Sequence, residues 1–318
     1  MSFRLIRLLP IITAILGLAL TYVVYQQALN HAHQILQEKF NYQTRETLFK
    51  IQQRFNAYAQ VLHGAKGFFL SSDYVSREEF KTYVSNLRLS DNYPGFQGVG
   101  YAALIPKSEL SSHIQSIRKQ GFSDYRVWPA SERDTYSSII YLEPVDWRNL
   151  RAFGYDMFFE PIRNIAMSRA RDTDKPALSS KVFLVQETEE GKQIGFLVYL
   201  PVYFKDKPTE TEQQRRQNLQ GWVYSPFRIK DFLNGLLGEQ KPNLDLEIYD
   251  GETESLETLM YDEDMHLSQE TQNNTPAKFS SVTRVTFMGQ TWTIKLRSTP
   301  LFEAEINSTP ALLIAANG

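Results

Sequence analysis

The chain has 318 residues, 34 Lys and Arg against 36 Asp and Glu, and no cysteine. So even a balance carries no electrostatic footprint for nucleic acid, and DNA and RNA are set aside as partners. Without cysteine there are no disulfides, thiol nucleophiles or thiolate metal ligands, and the length calls for one large or two medium folded units, two being the expectation.

Arg4 and Arg7 precede an uncharged run, Leu8 to Tyr25, about as long as a bilayer crossing requires. A secretory signal is the competing reading, but its apolar region is shorter and no A-x-A pattern follows here. An uncleaved anchor is expected: 1–7 cytoplasmic, 8–25 spanning the inner membrane, and everything from Gln26 to about residue 309 periplasmic. The last residues, 306–318, end in PALLIAANG. They read either as the start of a second crossing or as a free apolar tail.

From Gln26 to Lys66 there is no proline and only Gly64, and good helix formers dominate. Leu29, Ala32, Leu36, Phe40, Leu48, Ile51, Phe55, Tyr58 and Leu62 recur mostly at helical steps. One stalk helix over 26–70 is predicted, roughly 60 Å along this stretch. Its apolar stripe must be covered either by a folded domain or by the same helix of a second copy.

Ser76 followed by Glu79 makes a capping box, so a short helix starts there. Asn92 to Gly98 is turn chemistry, Gly98 to Ile105 a strand, and Ser108 to Gln120 a helix closed by Gly121. Further strands are expected over Lys181 to Glu187, Ile194 to Phe204, Gly221 to Phe227 and Leu244 to Tyr249, with Glu189 to Lys192 turning the first two into a hairpin. The polar stretch between Phe204 and Gly221 reads as an exposed loop. Ile229 to Gly238 reads as a short helix bridging two domains. A second hairpin follows, with Trp292, Ile294 and Leu296 alternating inward. Helices on one side of antiparallel sheets, given twice, is an α+β plan.

Little points to catalysis. The five histidines include His31 and His33 at a two-residue step, which sends the rings to different helix faces, and none has metal-ligand spacing. Tyr261 to His266 and Asp250 to Glu257 read as acidic surface loops. No catalytic residue, metal site or cofactor is assigned.

One stretch stands apart, FGYDMFFEPIRNIAMSRARDT, Phe153 to Thr173. Phe153, Tyr155, Phe158 and Phe159 precede Glu160-Pro161, and Pro suits the first turn of a helix. Ile162, Ile165, Ala166 and Arg169 form a face expected to pack on a sheet. Arg163, Met167 and Ala170, with Arg171 beside them, form another expected to look into a cavity. Aromatic walls with one or two buried polar anchors are what a small-molecule site requires, although core packing accounts equally for each aromatic taken alone.

With these residues, the chain resembles a CHASE domain, the extracytoplasmic sensor module of bacterial histidine kinases and diguanylate cyclases and of plant cytokinin receptors. The matching words are Phe153 to Glu187, GFLVYLPVYF from Gly195 to Phe204, and GWVYSPFRIKDFL from Gly221 to Leu233. The resemblance implies a stalk followed by two tandem PAS-like domains, membrane-distal over 71–230 and membrane-proximal over 231–305. It implies a pocket in the distal domain with Tyr155, Phe158, Arg163, Met167 and Arg171 on the aromatic–helix segment. Ser179, Phe183, Val185, Tyr199 and Tyr224 would come from the strands.

In the plant receptors an acidic residue near the start of the helix anchors cytokinin, and Arg163 stands at the corresponding position. The reversed charge points away from cytokinin and towards a ligand with a carboxylate or phosphate. A surface ion pair between Arg163 and Glu160 is the rival role. The expected partners are thus a small, anionic molecule, the membrane, and a second copy of the chain along the stalk. A membrane-tethered enzyme and a ligand-independent assembly module remain the contrasting function classes.

Overall fold

The computed structural model describes residues 3–93, 95–185, 193–238, 243–263 and 276–305. Helix α1, Phe3–Leu70, is continuous over 68 residues, about 100 Å at the usual rise. Its amino-terminal part is the one helix among the described residues long and apolar enough to cross a membrane. There Ile11, Ile15, Leu16, Leu18 and Leu20 all stand exposed. Thr13 and Thr21 donate their hydroxyls back to the carbonyls of Pro10 and Gly17, so neither leaves a polar atom unpaired along this apolar surface.

Helix α2, Arg77–Asn86, has the expected capping box, with Glu79 N–H donating to Ser76 Oγ and Ser76 N–H to Glu79 Oε2. After the single turn α3, Leu89–Asn92, come strand β1, Val99–Pro106, and α4, Leu110–Lys119, which ends at Gly121 in the left-handed region. Strand β2, Thr135–Glu143, precedes α5, Pro161–Thr173. The short strands β3, Ala177–Leu178, and β4, Val182–Phe183, lead to β5, Ile194–Tyr203. Helix α6, Glu212–Gln217, strand β6, Leu219–Arg228, and α7, Ile229–Leu237, complete the first unit. Strands β7, Leu244–Asp250, β8, Leu259–Asp262, β9, Ser280–Phe287, and β10, Gln290–Ser298, form the second.

Every pairing is antiparallel. The first sheet runs β2-β1-β6-β5-β3 with β4 also on β5, and the second runs β8-β7-β10-β9. Both follow one rule: the first strand lies between the second and the last, and the last lies beside an earlier neighbour. This is the expected α+β plan with two antiparallel sheets.

Several local expectations need correction. β2 was not foreseen, because TYSSIIYLE is buried on both faces, Ser137 and Ser138 included, and so lacks a polar–apolar alternation. β8 falls where an acidic loop was expected, since Met260 and Tyr261 are buried between acidic neighbours. α6 interrupts the expected exposed loop, started by a capping box between Thr211 and Gln214. The expected turn at 189–192, the carboxyl-terminal apolar segment and His266 lie outside the described residues.

One core joins both sheets to α1. Phe55 is fully buried, with its ring centroid 5.8 Å from Phe196 of the first sheet, 5.2 Å from Phe232 of α7, and 4.9 and 5.3 Å from Phe287 and Trp292 of the second. Tyr58 stacks on Phe227 at 4.5 Å, and Phe40 meets Phe279 and Phe302 lower down. α7 therefore bridges the sheets as expected. The opposite face of the first sheet packs against α5 in a second cluster.

Truncating a buried phenylalanine removes its transfer energy and leaves a cavity. Phe55→Ala should lower the unfolding free energy by about 3–5 kcal/mol, read by urea denaturation in detergent with tryptophan fluorescence. Because Trp292 of the second sheet and Trp222 of the first both report, their transitions should shift together.

Candidate functional site

The segment before α5 is shaped by Asp156. Its buried carboxylate accepts from Ser137 N and Oγ and from the N–H groups of Phe158 and Phe159, which caps a single helical turn over Met157–Phe159. Arg133 Nε lies 3.1 Å from the other carboxylate oxygen. Glu160 then caps α5 by accepting from Ile162 N and Arg163 N, with Pro161 in the first turn as expected, and Asp174 closes the helix in the left-handed conformation.

α5 presents a different face to the sheet from the one foreseen. Arg163, Ala166, Met167 and Ala170 are buried, whereas Ile162 and Ile165 are 37% and 61% exposed. The reason lies beneath: Tyr199, Trp222 and Tyr224 fill this side of the sheet and are all buried. Alanines let the helix approach those rings, and an isoleucine face would not. Trp222 Nε1 donates to the Met167 carbonyl at 3.0 Å and so fixes the docking.

Arg163 is buried. It pairs with Glu160 at 3.0 Å, donates from Nη2 to the Phe183 carbonyl at 2.8 Å, and lies over the Tyr155 ring at 5.5 Å. The ion pair considered for the surface is thus formed inside the fold. Tyr199 Oη donates to Met157 Sδ at 3.6 Å, a weak acceptor. Tyr224 sits opposite Gly100, where a Cβ would come within 2.5 Å of its ring. Its hydroxyl is buried without a hydrogen-bond partner. Burial pushes the Tyr199, Tyr224 and Tyr155 phenols upward from their ordinary range, so at neutral pH all three keep their protons.

Of the sequence-predicted residues, Tyr155, Phe158, Arg163, Met167, Tyr199 and Tyr224 come together here. Val185 is half-buried at the margin. Ser179 is buried, but its hydroxyl accepts from Leu197 N and donates to the Ser180 carbonyl, work that ties β3 to β5. Phe183 is 54% exposed, and Arg171 pairs with Asp172 at 2.6 Å while its guanidinium lies 6.0 Å from the Phe158 ring centroid. Asp156, Met157 and Trp222 were missed. Trp222 was findable, because it precedes Tyr224 by two in a strand and so shares its face. Among the described residues no group of His, Asp and Glu is arranged to hold a metal. What the cluster can do is bind, because it offers donors in a dry, aromatic setting.

A CHASE domain model matches residues 73–261. The chain belongs to the CHASE domain family. CHASE domains are extracytoplasmic sensor modules and not catalysts. No curated protein sequence matches this CHASE chain. Among solved structures, it is similar to the ligand-binding domain of the Pseudomonas aeruginosa PAO1 amino acid chemoreceptor PctC in complex with GABA. That likeness covers 78% of this chain and 94% of the other, at 12% identity and a TM-score of 0.44.

The end of α5 is latched by Asp172, which accepts from Arg216 at 2.8 Å and from Arg171. The Arg216 hydrogen bonds, with Arg171 adding to them, hold its carboxyl well below the usual carboxylate range. The folded carboxylate therefore binds a proton more weakly than the unfolded one, and its stabilisation is lost as pH falls below the unfolded value of about 4. Asp172→Asn should lower Tm at pH 7 and shrink the Tm difference between about pH 7 and pH 3.5, as measured by differential scanning fluorimetry.

Proposed function

We propose that this CHASE chain is the sensing part of a membrane receptor, with α1 crossing the inner membrane over 8–25 and the folded units on the periplasmic side. A small molecule bearing a carboxylate or phosphate binds in the outer unit between α5 and the first sheet. The change passes through α1 and the second sheet to a cytoplasmic output such as a histidine kinase or a diguanylate cyclase.

The observation that carries this reading is the unmatched hydroxyl of Tyr224 beside Tyr199 and Arg163. A buried hydroxyl without an acceptor costs about 1–3 kcal/mol, and a ligand oxygen would offset that cost. Tyr155, Phe158 and Met167 supply the apolar contact. Arg171, Ser179, Phe183 and Val185 act at the margin, where the β3–β5 segment would shift to admit the ligand. A ligand-independent module is the second reading, favoured by how closely the cluster's own side chains fill it.

The chain in detergent, screened by thermal shift against small carboxylates and phosphates, separates the two. Tyr224→Phe should raise ligand-free stability by about 1 kcal/mol and weaken the stabilising ligand about tenfold, and Arg163→Ala should weaken it further. If no compound stabilises the chain, or if the affinity of one that does is indifferent to both substitutions, the ligand reading fails.

The stalk supports self-association. Ile35, Tyr42 and Phe49 are 47%, 61% and 61% exposed and recur at seven-residue steps on the side of α1 turned from the sheets, the spacing two helices wound about each other require. Tyr42→Asp combined with Phe49→Asp should convert a dimer to a monomer in multi-angle light scattering. An unchanged mass would reject this interface.

A further inference from the structure

Arg133, Arg163 and Arg171 each pair directly with a carboxylate, whereas half-buried Arg77, the first residue of α2, makes no such ion pair among the described residues and feels Glu143 only at longer range. Its guanidinium lies 4.4, 5.1 and 5.1 Å from the ring centroids of Phe122, Tyr141 and Phe153. Nη1 donates to the Ile140 carbonyl and Nε to Gln120 Oε1, while Nη2 is enclosed without an acceptor. Glu143, close by, spends a carboxylate oxygen on Val145 N–H at 3.0 Å. Burial lowers Arg77 and raises Glu143, and the attraction between the two offsets part of both shifts.

These groups line a cavity of about 210 Å³ beside the edge strand β2, walled by Phe122, Phe153, Leu150 and Val145. It shares only Leu142 with the cluster under α5 and none of the ligand-site residues assigned there. Through Lys81, Glu143 and Val145 it adjoins a larger groove of about 610 Å³, which gives it an approach from solvent. Glu78, Lys81, Glu143 and Asn149 add to its lining, and the aromatic walls beside the Arg77 Nη2 that lacks an acceptor are suited to a small organic anion: the walls take the body and the arginine fork takes the carboxylate. We propose that this cavity is a second ligand site, for a small carboxylate with an apolar body.

Benzoate and its neutral analogue benzamide are suitable probes, titrated calorimetrically into the whole chain in detergent. Benzoate should bind saturably and about tenfold more tightly than benzamide. Leu150→Trp, made at a half-exposed position on the cavity wall, should abolish benzoate binding by filling the chamber. Arg77→Gln should reduce benzoate affinity about tenfold and leave benzamide unchanged. Tyr224→Phe should alter neither, which keeps this outcome separate from that of the α5 site. No saturable benzoate binding, equal affinity for the two probes, or binding that survives Leu150→Trp would overturn the proposal.

Discussion

The structure depends on the burial of one face of α1 between two sheets. Leu36, Phe40, Ile51, Phe55, Tyr58 and Leu62 follow one another at helical steps and are all buried. A buried side chain of this size contributes about 1.5–3 kcal/mol, so this stripe is a large share of what holds the units together. Phe55 makes the dependence concrete, because its ring touches both sheets and α7. Helices α2 and α7 share in covering that face, with Phe80 against Tyr141 and Phe232 against Phe196 and Trp292. The stalk is therefore a structural part of the folded units, and what moves one must strain the other.

The two faces of the first sheet do different work. Towards α1 the contacts are apolar and aromatic. Towards α5 the sheet carries Tyr199, Trp222 and Tyr224, with Arg163 and Asp156 buried close by. Trp222 finds its acceptor in the helix backbone, and Arg163 finds Glu160. Tyr224 finds none. Polarity gathered on one face, with the Tyr224 hydroxyl and nitrogens of Arg133 left without hydrogen-bond partners, is the pattern the proposed recognition surface would have.

Where local chemistry sufficed, the sequence was legible. Ser76 with Glu79, Glu160 with Pro161, and the alternation of Trp292, Ile294 and Leu296 all produce the elements they signal. Legibility stopped where a neighbour decided the outcome. β2 hides because both its faces are covered. The face of α5 was misjudged because hydrophobicity favoured Ile162 and Ile165, while the face that meets the rings beneath combines Ala166 and Ala170 with the unbranched Arg163 and Met167. For Arg163 the three-residue spacing gave the partner but not the burial. Arg171 lies at the edge of the cluster against Phe158 and pairs with Asp172, which Arg216 from the unforeseen α6 helps to hold.

The turn between β9 and β10 reaches the first unit. The Met288 carbonyl accepts from Leu178 N–H, and Gly289 leaves room for the Arg169 side chain, which would otherwise meet a Cβ within 2.6 Å. Helix α5 thus leans on the tip of a hairpin whose other end flanks the stalk. A rod about 100 Å long that tilts by about 2° moves its far end by about 3.5 Å. The fold in this way has the lever geometry the proposed sensing would use, in which a sub-ångström adjustment under α5 that tilted the rod would become, at its opposite end, a displacement comparable to the width of an atom.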